Sequence, residues 1–358
     1  MHWRMTVVCS VVALLTIVAG GQRALAQDQE VPTFEVDPAW PSLPNGWVLG
    51  QVASVTVDAR DHVWVLHRPR TVEEGQRTNA APPVLEFDTS GTFIQAWGGP
   101  NGDFEWPANE HGIHADAQGY IWVGGNSAQP ESDDMLLKLT NSGELLMQIG
   151  RRGQSGGNDD IQNLRRPAES FVYQDTNEVF VADGYGNRRV IVLDAETGQF
   201  KRLWGAFGNA PVDPSSGSPM GQGRGPEQFG IVHGIEVSHD GLVYVADRNN
   251  SRIQVFTLEG TYWTQGFINQ NAESASTTAG LAFSPDPEQR FLYVADQGNS
   301  LVHVVDRETL AVLHSFGSNG AAPGQFQALH HIATDSHGNI YTAEAQRGRR
   351  AQKFSLVD

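Results

Sequence analysis

The chain has 358 residues, with 24 basic and 41 acidic side chains and a formal net charge of −17. That balance excludes the basic footprint on which nucleic-acid binding depends. Thirty-nine glycines and 18 prolines, set between short apolar runs, predict all-β structure with many turns.

The N-terminus reads MHWRMTVVCSVVALLTIVAGGQRALAQDQE. His2 and Arg4 precede an apolar run from Val7 to Val18, and Ala24-Leu25-Ala26 gives a small-x-small cleavage pattern. Residues 1–26 are therefore expected to be a secretory signal peptide, cut after Ala26. The run is shorter than the roughly 20 residues of a membrane span, so no membrane attachment is expected after cleavage. Cys9 lies in the leader, and the mature chain has no cysteine from which to build disulfides. It keeps 22 basic against 41 acidic residues, a net charge near −19, with the acids dispersed in a way that serves solubility. Residues 27–358 are expected to form a single domain, exported to a periplasm or beyond the cell and acting as a monomer.

Six copies of one unit follow in order: VTVDARDHVWVLHR, IHADAQGYIWVGG, FVYQDTNEVFVADG, IEVSHDGLVYVADR, LAFSPDPEQRFLYVADQ and IATDSHGNIYTAEA. Each is an apolar strand, a turn and a second strand centred on Val65, Val123, Val181, Val245, Val294 and Thr342. A third strand such as VIVLD and a fourth ending near glycine, such as FKRLWG, follow most copies. Four short strands per unit and six units predict a six-bladed β-propeller with NHL-like repeats and four-stranded blades. No stretch has the 3.6 periodicity of a long helix. Two Gly/Pro-rich loops between blades, GGPNGDFEWPANE and GAFGNAPVDPSSGSPMGQGRGPEQFG, are expected to cap one end of the channel, where sites usually form.

Repeat phase singles out candidate residues. His111, His233 and His330 each stand eight residues before the turn glycine, in blades 2, 4 and 6. The odd blades carry Ala53, Ser170 and Ala279 at that offset, none of them a metal ligand. One such imidazole reads as a turn histidine bonded to backbone. Three on alternate blades converge on the axis about 120° apart, as a three-histidine Zn²⁺ site with an open position requires. His114, His239, His331 and His337 share no phase and are expected at the surface or behind the ligands. Arg68 and Arg248 occupy one offset in blades 1 and 4, opposite each other, and suit a substrate carboxylate. Arg70, Arg188, Arg189 and Arg252 read as surface residues of an acidic protein. In blade 3 the same turn is one residue longer and holds Tyr185 between Gly184 and Gly186, glycines expected to supply backbone freedom.

These residues, in VLHRP, EHGIHAD, VADGYGNRR, VHGIEV, YVADRNNSRIQVF and LHHIATDSHGNIY, resemble the peptidyl-α-hydroxyglycine α-amidating lyases. The resemblance implies zinc on His111, His233 and His330, a catalytic tyrosine at Tyr185, and active-site arginines at Arg68 and Arg248. It also implies a structural Ca²⁺ linked to an aspartate after the third histidine, where this chain has His331. The family's cysteines are replaced by Gly186, Tyr244 and Val255, and its prolines before the first and last ligands by Glu110 and Leu329. The expected reaction splits the C–N bond of a carboxylate-bearing carbinolamide, peptide or small molecule, into an amide and a glyoxylate-like oxoacid. A phenol acts as base there only beside cationic groups that stabilise the phenolate. A lactonase-type propeller hydrolase and a non-catalytic propeller binding protein or glycan are the alternatives.

Overall fold

The computed structural model describes residues 30–128, 130–212 and 227–357. The expected signal peptide and the middle of the second long loop lie outside the described residues. Six four-stranded antiparallel sheets form a six-bladed β-propeller. Blade 1 begins with the inner strand Gln51–Val57, and the inner strands of blades 2 to 5 are Glu110–Ala115, Glu169–Tyr173, Val232–Val237 and Leu281–Phe283. Blade 6 holds Leu329–Thr334, Ile340–Glu344 and Arg350–Val357. Its outermost strand comes from the other end of the described chain: Thr33–Asp37 pairs antiparallel with Arg350–Val357 and closes the ring. The six-fold motif gave no hint of this strand, because TFEVD lies outside every copy.

Each second strand is buried on both faces, since each blade packs between two others. Val63–Arg68 and Glu178–Asp183 are buried throughout, whereas the outer strand Val312–Phe316 is largely exposed. Six apolar clusters fill the six interfaces between blades. Phe180 and Val192 meet Ile235 and Phe256 between blades 3 and 4, and Val65 and Leu85 meet Tyr341 between blades 1 and 6. The aromatic of the V-[WYF]-V strand has a second task. In blades 1, 2 and 6 the turn aspartate (Asp58, Asp116, Asp335) accepts a hydrogen bond from Trp64, Trp122 or Tyr341 at 2.9–3.1 Å, pinning the hairpin.

The reading of Arg189 and Arg252 as surface residues is corrected. Both are buried, and each pairs with the acid that ends the preceding strand: Arg189 Nε with Asp183 Oδ2 and Arg252 Nε with Asp247 Oδ2, both at 2.8 Å. Arg350 with Glu344 and His303 with Asp296 repeat the arrangement in blades 6 and 5. The acids also accept backbone N–H groups of the loops that enter their own blades: Arg165 on Asp183, Gly230 on Asp247 and Gln327 on Glu344. Buried charges persist only when paired and fully hydrogen-bonded, and this network meets both conditions. Arg70 is exposed and Arg188 half-buried.

In blade 1 the acid's position holds His67, wholly buried, whose Nδ1 accepts the Gly50 N–H at 3.0 Å while Nε2 donates to Pro82 O at 3.0 Å. That tautomer is neutral, and burial pushes the pKa of His67 down to about 4. The folded pKa lies below the ordinary value near 6.5, so the stabilisation is complete above that value and is lost as pH falls towards 4. Between pH 7 and pH 5 His67 is expected to cost about 2 kcal/mol. Urea unfolding at both pH values should show a shallower loss for His67→Gln than for the wild type. An equal loss would remove His67 from the acid sensitivity.

Candidate metal centre

Each ligand histidine is the second residue of its inner strand, and each sits where the ladder slips. The register shifts between Glu110 and Ile113, between Val232 and Gly234, and between Leu329 and His331. A bulge leaves its extra residue unpaired and re-aims the side chain, here towards the channel axis. The ring centroids of His111, His233 and His330 lie 4.7–5.0 Å apart, and one nitrogen from each falls within 4.8 Å of the others.

The odd blades hold these rings in place. His111 Nδ1 bonds the Ala168 carbonyl of blade 3 at 2.8 Å, His233 Nδ1 that of Ala279 in blade 5 at 2.8 Å, and His330 Nδ1 that of Ala53 in blade 1 at 2.6 Å. A carbonyl can only accept, so Nδ1 carries the proton and Nε2 keeps its lone pair for the axis. Burial, reinforced by neighbouring imidazoles and by Arg68 or Arg248, holds all three pKa values well below the ordinary range. Three neutral imidazoles whose Nε2 lone pairs converge match the donor set of a three-histidine zinc site, so the residues present fit the ion. The ladder also corrects the blade 3 equivalent of these histidines. Val181 pairs with Ser170 whereas Val245 pairs with Ile235, which puts Ala168, not Ser170, in register with His233. Ten residues separate Ser170 from Val181 against nine between Ile235 and Val245, so the blade 3 hairpin is longer by one residue and counting back from it falls short.

Tyr185 lies on the lengthened turn between Asp183 and Arg189, the last pair of its ladder. Its hydroxyl is 2.9 Å from His111 Nε2 and 3.2 Å from His233 Nε2, and it accepts a hydrogen bond from Arg248 Nη1 at 2.9 Å. The Arg248 guanidinium also stands 5.3 Å from the centre of the Tyr185 ring. Neither flanking glycine has a positive φ, so backbone freedom is not their contribution. Space is. A Cβ on Gly184 would strike the backbone of Val232, and one on Gly186 would strike Arg165. The turn lies flat against the strand that carries His233. Arg68 is buried, with Nε donating to Glu110 O at 2.7 Å and Nη1 to Gln51 Oε1 at 2.8 Å. Its charge helps to hold the pKa values of His111 and His330 down. All six residues picked out by phase or by the interrupted turn thus converge on one end of the channel.

His331, expected at the surface or behind the ligand histidines, takes the second of these places. It is fully buried, its ring 4.9–5.8 Å from those of the three ligand histidines. By ladder register it belongs to the layer Ser54, Gly112, Glu169, Gly234, Gly280 and His331, four of which are glycine or serine. Only the two large members can fill the axis, and from opposite blades they meet there: His331 Nδ1 is 3.2 Å from Glu169 Oε1. Glu169 Oε2 accepts the Ile235 N–H at 3.0 Å, fixing the carboxylate. Calcium takes six or more oxygen ligands, and an imidazole supplies none. The residue at this position does not fit the Ca²⁺ that the resemblance implied. Below the pair the channel widens into a funnel of about 600 Å³ lined by His114, Phe171 and Glu236. His239 and His337 are exposed, as expected. A second cluster, Asp58, His62 and Glu86, is bridged by the Arg60 guanidinium at 2.7–2.9 Å and so carries its own counter-charge.

An NHL repeat pattern matches residues 229–256, within blade 4. The chain is 29% identical over 328 residues to NHL repeat-containing protein 3 of Homo sapiens, covering 90% of this chain and 84% of that protein. It is 24% identical over 347 residues to peptidyl-alpha-hydroxyglycine alpha-amidating lyase 1 of Drosophila melanogaster, covering 87% of this chain and 58% of the fly protein. Among solved structures, that of a streptogramin B lyase superposes with a TM-score of 0.54 at 13% identity, over 92% of this chain and all of the other. That last likeness is one of fold. The similarity to a named amidating lyase extends over most of the described chain and agrees with the motif resemblance.

Proposed function

We propose that the chain is a zinc-dependent lyase that splits the C–N bond of an α-hydroxyglycine-type substrate into an amide and a glyoxylate-like oxoacid. One observation carries the reading. The Tyr185 hydroxyl stands where two imidazole lone pairs converge and where Arg248 donates to it. A turn tyrosine with a merely structural task needs neither a cation nor two ligand nitrogens at its oxygen.

His111, His233 and His330 would hold the ion, which when bound supplies the Lewis acidity that eases deprotonation of a hydroxyl. Tyr185, as phenolate, takes the proton from the substrate hydroxyl, and Arg248 stabilises the negative charge on Oη before transfer. The hydroxyl carbon becomes the carbonyl of the oxoacid as the C–N bond breaks. The electron pair passes to the amide nitrogen, which receives the proton back. Arg68 and Arg248 flank the site from opposite blades, and the N–H groups not given to protein acceptors orient the substrate carboxylate. Atoms and charge balance, and no redox partner is required.

The leader-like N-terminus supports action after export, in a periplasm or outside the cell, on a small or peptidyl substrate. The breadth of the match to NHL repeat-containing protein 3, whose name carries no reaction, favours one alternative, a non-catalytic propeller. Metal analysis and a turnover assay together separate the two. The purified protein is expected to hold about one zinc per chain, and His330→Ala to lose it, because two imidazoles leave the coordination set incomplete. No zinc in the wild type, or undiminished zinc in His330→Ala, sinks the metal centre. Zinc without turnover of any α-hydroxyglycine sinks the lyase.

A further inference from the structure

Two loops on the metal face take no part in the chemistry above. Residues 69–83 leave blade 1 directly after Arg68, and residues 98–109 run into the strand that carries His111. Between them lies a groove of about 1040 Å³. Trp47, Pro82 and Pro83 line one side, and Pro100, Phe104 and Trp106 the other. The walls are built closely. Gly98 has φ +98° and lies against the Trp106 ring, where a Cβ would stand 2.7 Å from it, and the Trp106 N–H is satisfied by Glu110 at 2.9 Å. At its inner end the groove shares Arg70, Ala108 and Glu131 with a polar vestibule of about 490 Å³. Gln51 and Arg68 line that vestibule, together with Asn109 and Asn126. Arg70 Nε donates to Ala108 O at 2.9 Å and so ties the two loops where the vestibule meets the groove.

The chemical character therefore changes outward from the metal end, from cationic through amide-bearing to a mainly aromatic and apolar lining that also carries Glu105 and Arg152. In an N-acyl-α-hydroxyglycine the hydroxyl and carboxylate belong to the reacting end, and the next group is an amide. Beyond it lies the acyl substituent. The geometry points to that substituent as the occupant of the groove, in the form of an aromatic or branched aliphatic group. This rests on the lyase reading. An apolar group in a preformed cleft leaves water without ordering the protein, which is how such pockets select.

The test compares kcat/KM for N-acetyl- and N-(3-phenylpropionyl)-α-hydroxyglycine in the wild type, Phe104→Ala and Ala80→Glu. The wild type is expected to prefer the aromatic acyl group by about ten- to a hundred-fold. In both variants that ratio should fall towards one. Ala80, half-buried on the groove wall, serves as the second variant should Phe104→Ala fail to fold, which melting curves would reveal. Equal kcat/KM for the two substrates in the wild type, or an unchanged ratio in a folded variant, overturns the groove and leaves the lyase standing. If neither substrate reacts, the lyase reading fails and calorimetry with 3-phenylpropionamide decides for the groove. Binding weakened by the variants retains it, and absence of binding overturns it.

Discussion

On the lyase reading, Tyr185→Phe should keep the wild type's metal content and its fold yet lose turnover of an α-hydroxyglycine by about 10²–10⁴-fold. The substitution removes one oxygen. That oxygen is the atom bonded to His111, His233 and Arg248, while the ring's own packing beside the His111 and His233 rings survives. Ligand geometry depends on the Ala168, Ala279 and Ala53 carbonyls, none of which touches the phenol oxygen, so metal content should not change. The measurement is single-turnover rate beside zinc stoichiometry on the same preparation. Undiminished rate in Tyr185→Phe would exclude the phenol as base. Loss of rate together with loss of zinc would make it a support for the ligands instead.

The second large effect is on stability. Asp183→Asn is expected to destabilise the protein by about 3–5 kcal/mol, the usual result of leaving a buried charge without its partner. Asp183 and Arg189 are both fully buried, and the carboxylate also accepts from the Arg165 N–H at 2.8 Å and from Asn187 at 2.7 Å. Replacing such a pair by two apolar residues is often harmless, but here it should not rescue. Arg189 donates to the carbonyls of Asn158, Asp160 and Asn163 at 2.5–2.9 Å, and an apolar side chain would orphan them. Denaturant unfolding of Asp183→Asn and of the double variant Asp183→Leu/Arg189→Met checks both statements. Stability within 1 kcal/mol of the wild type for either would contradict them. Residues 184–188, with Tyr185, hang between the two partners, so activity should fall further than the folded fraction alone explains.

The convergence of the three histidines is legible because a repeat turns sequence offset into geometry. His111, His233 and His330 share a phase, and a shared phase in a propeller is a shared height on the channel. Where phase gave no repeat, it gave nothing. His331 has one large counterpart, Glu169, and their meeting depends on four small residues opposite and beside them, which no offset reveals. Arg189 and Arg252 were misread for a different reason. An arginine in an acidic chain is ordinarily solvated, and its burial follows only from the acid that the ladder sets beside it. The glycines around Tyr185 were recognised as necessary, but the need is for contact with Val232 and Arg165 and not for unusual dihedral angles. The closing strand Thr33–Asp37 had no motif to betray it.

That strand has a bearing on the candidate metal centre. The seam it completes lies in blade 6, and the joint beside it is crossed by the bond from His330 to Ala53, which joins blade 6 to blade 1. One ligand of three is therefore held by the part of the ring that depends on both ends of the described chain being docked. Three ligands on alternate blades measure the circumference of the ring, and a ring that gapes at its seam no longer has the right one. With an ion on the three histidines, metal affinity and seam closure would be linked equilibria, so whatever tightens the hoop would raise occupancy, and an occupied centre would in turn act as its clasp.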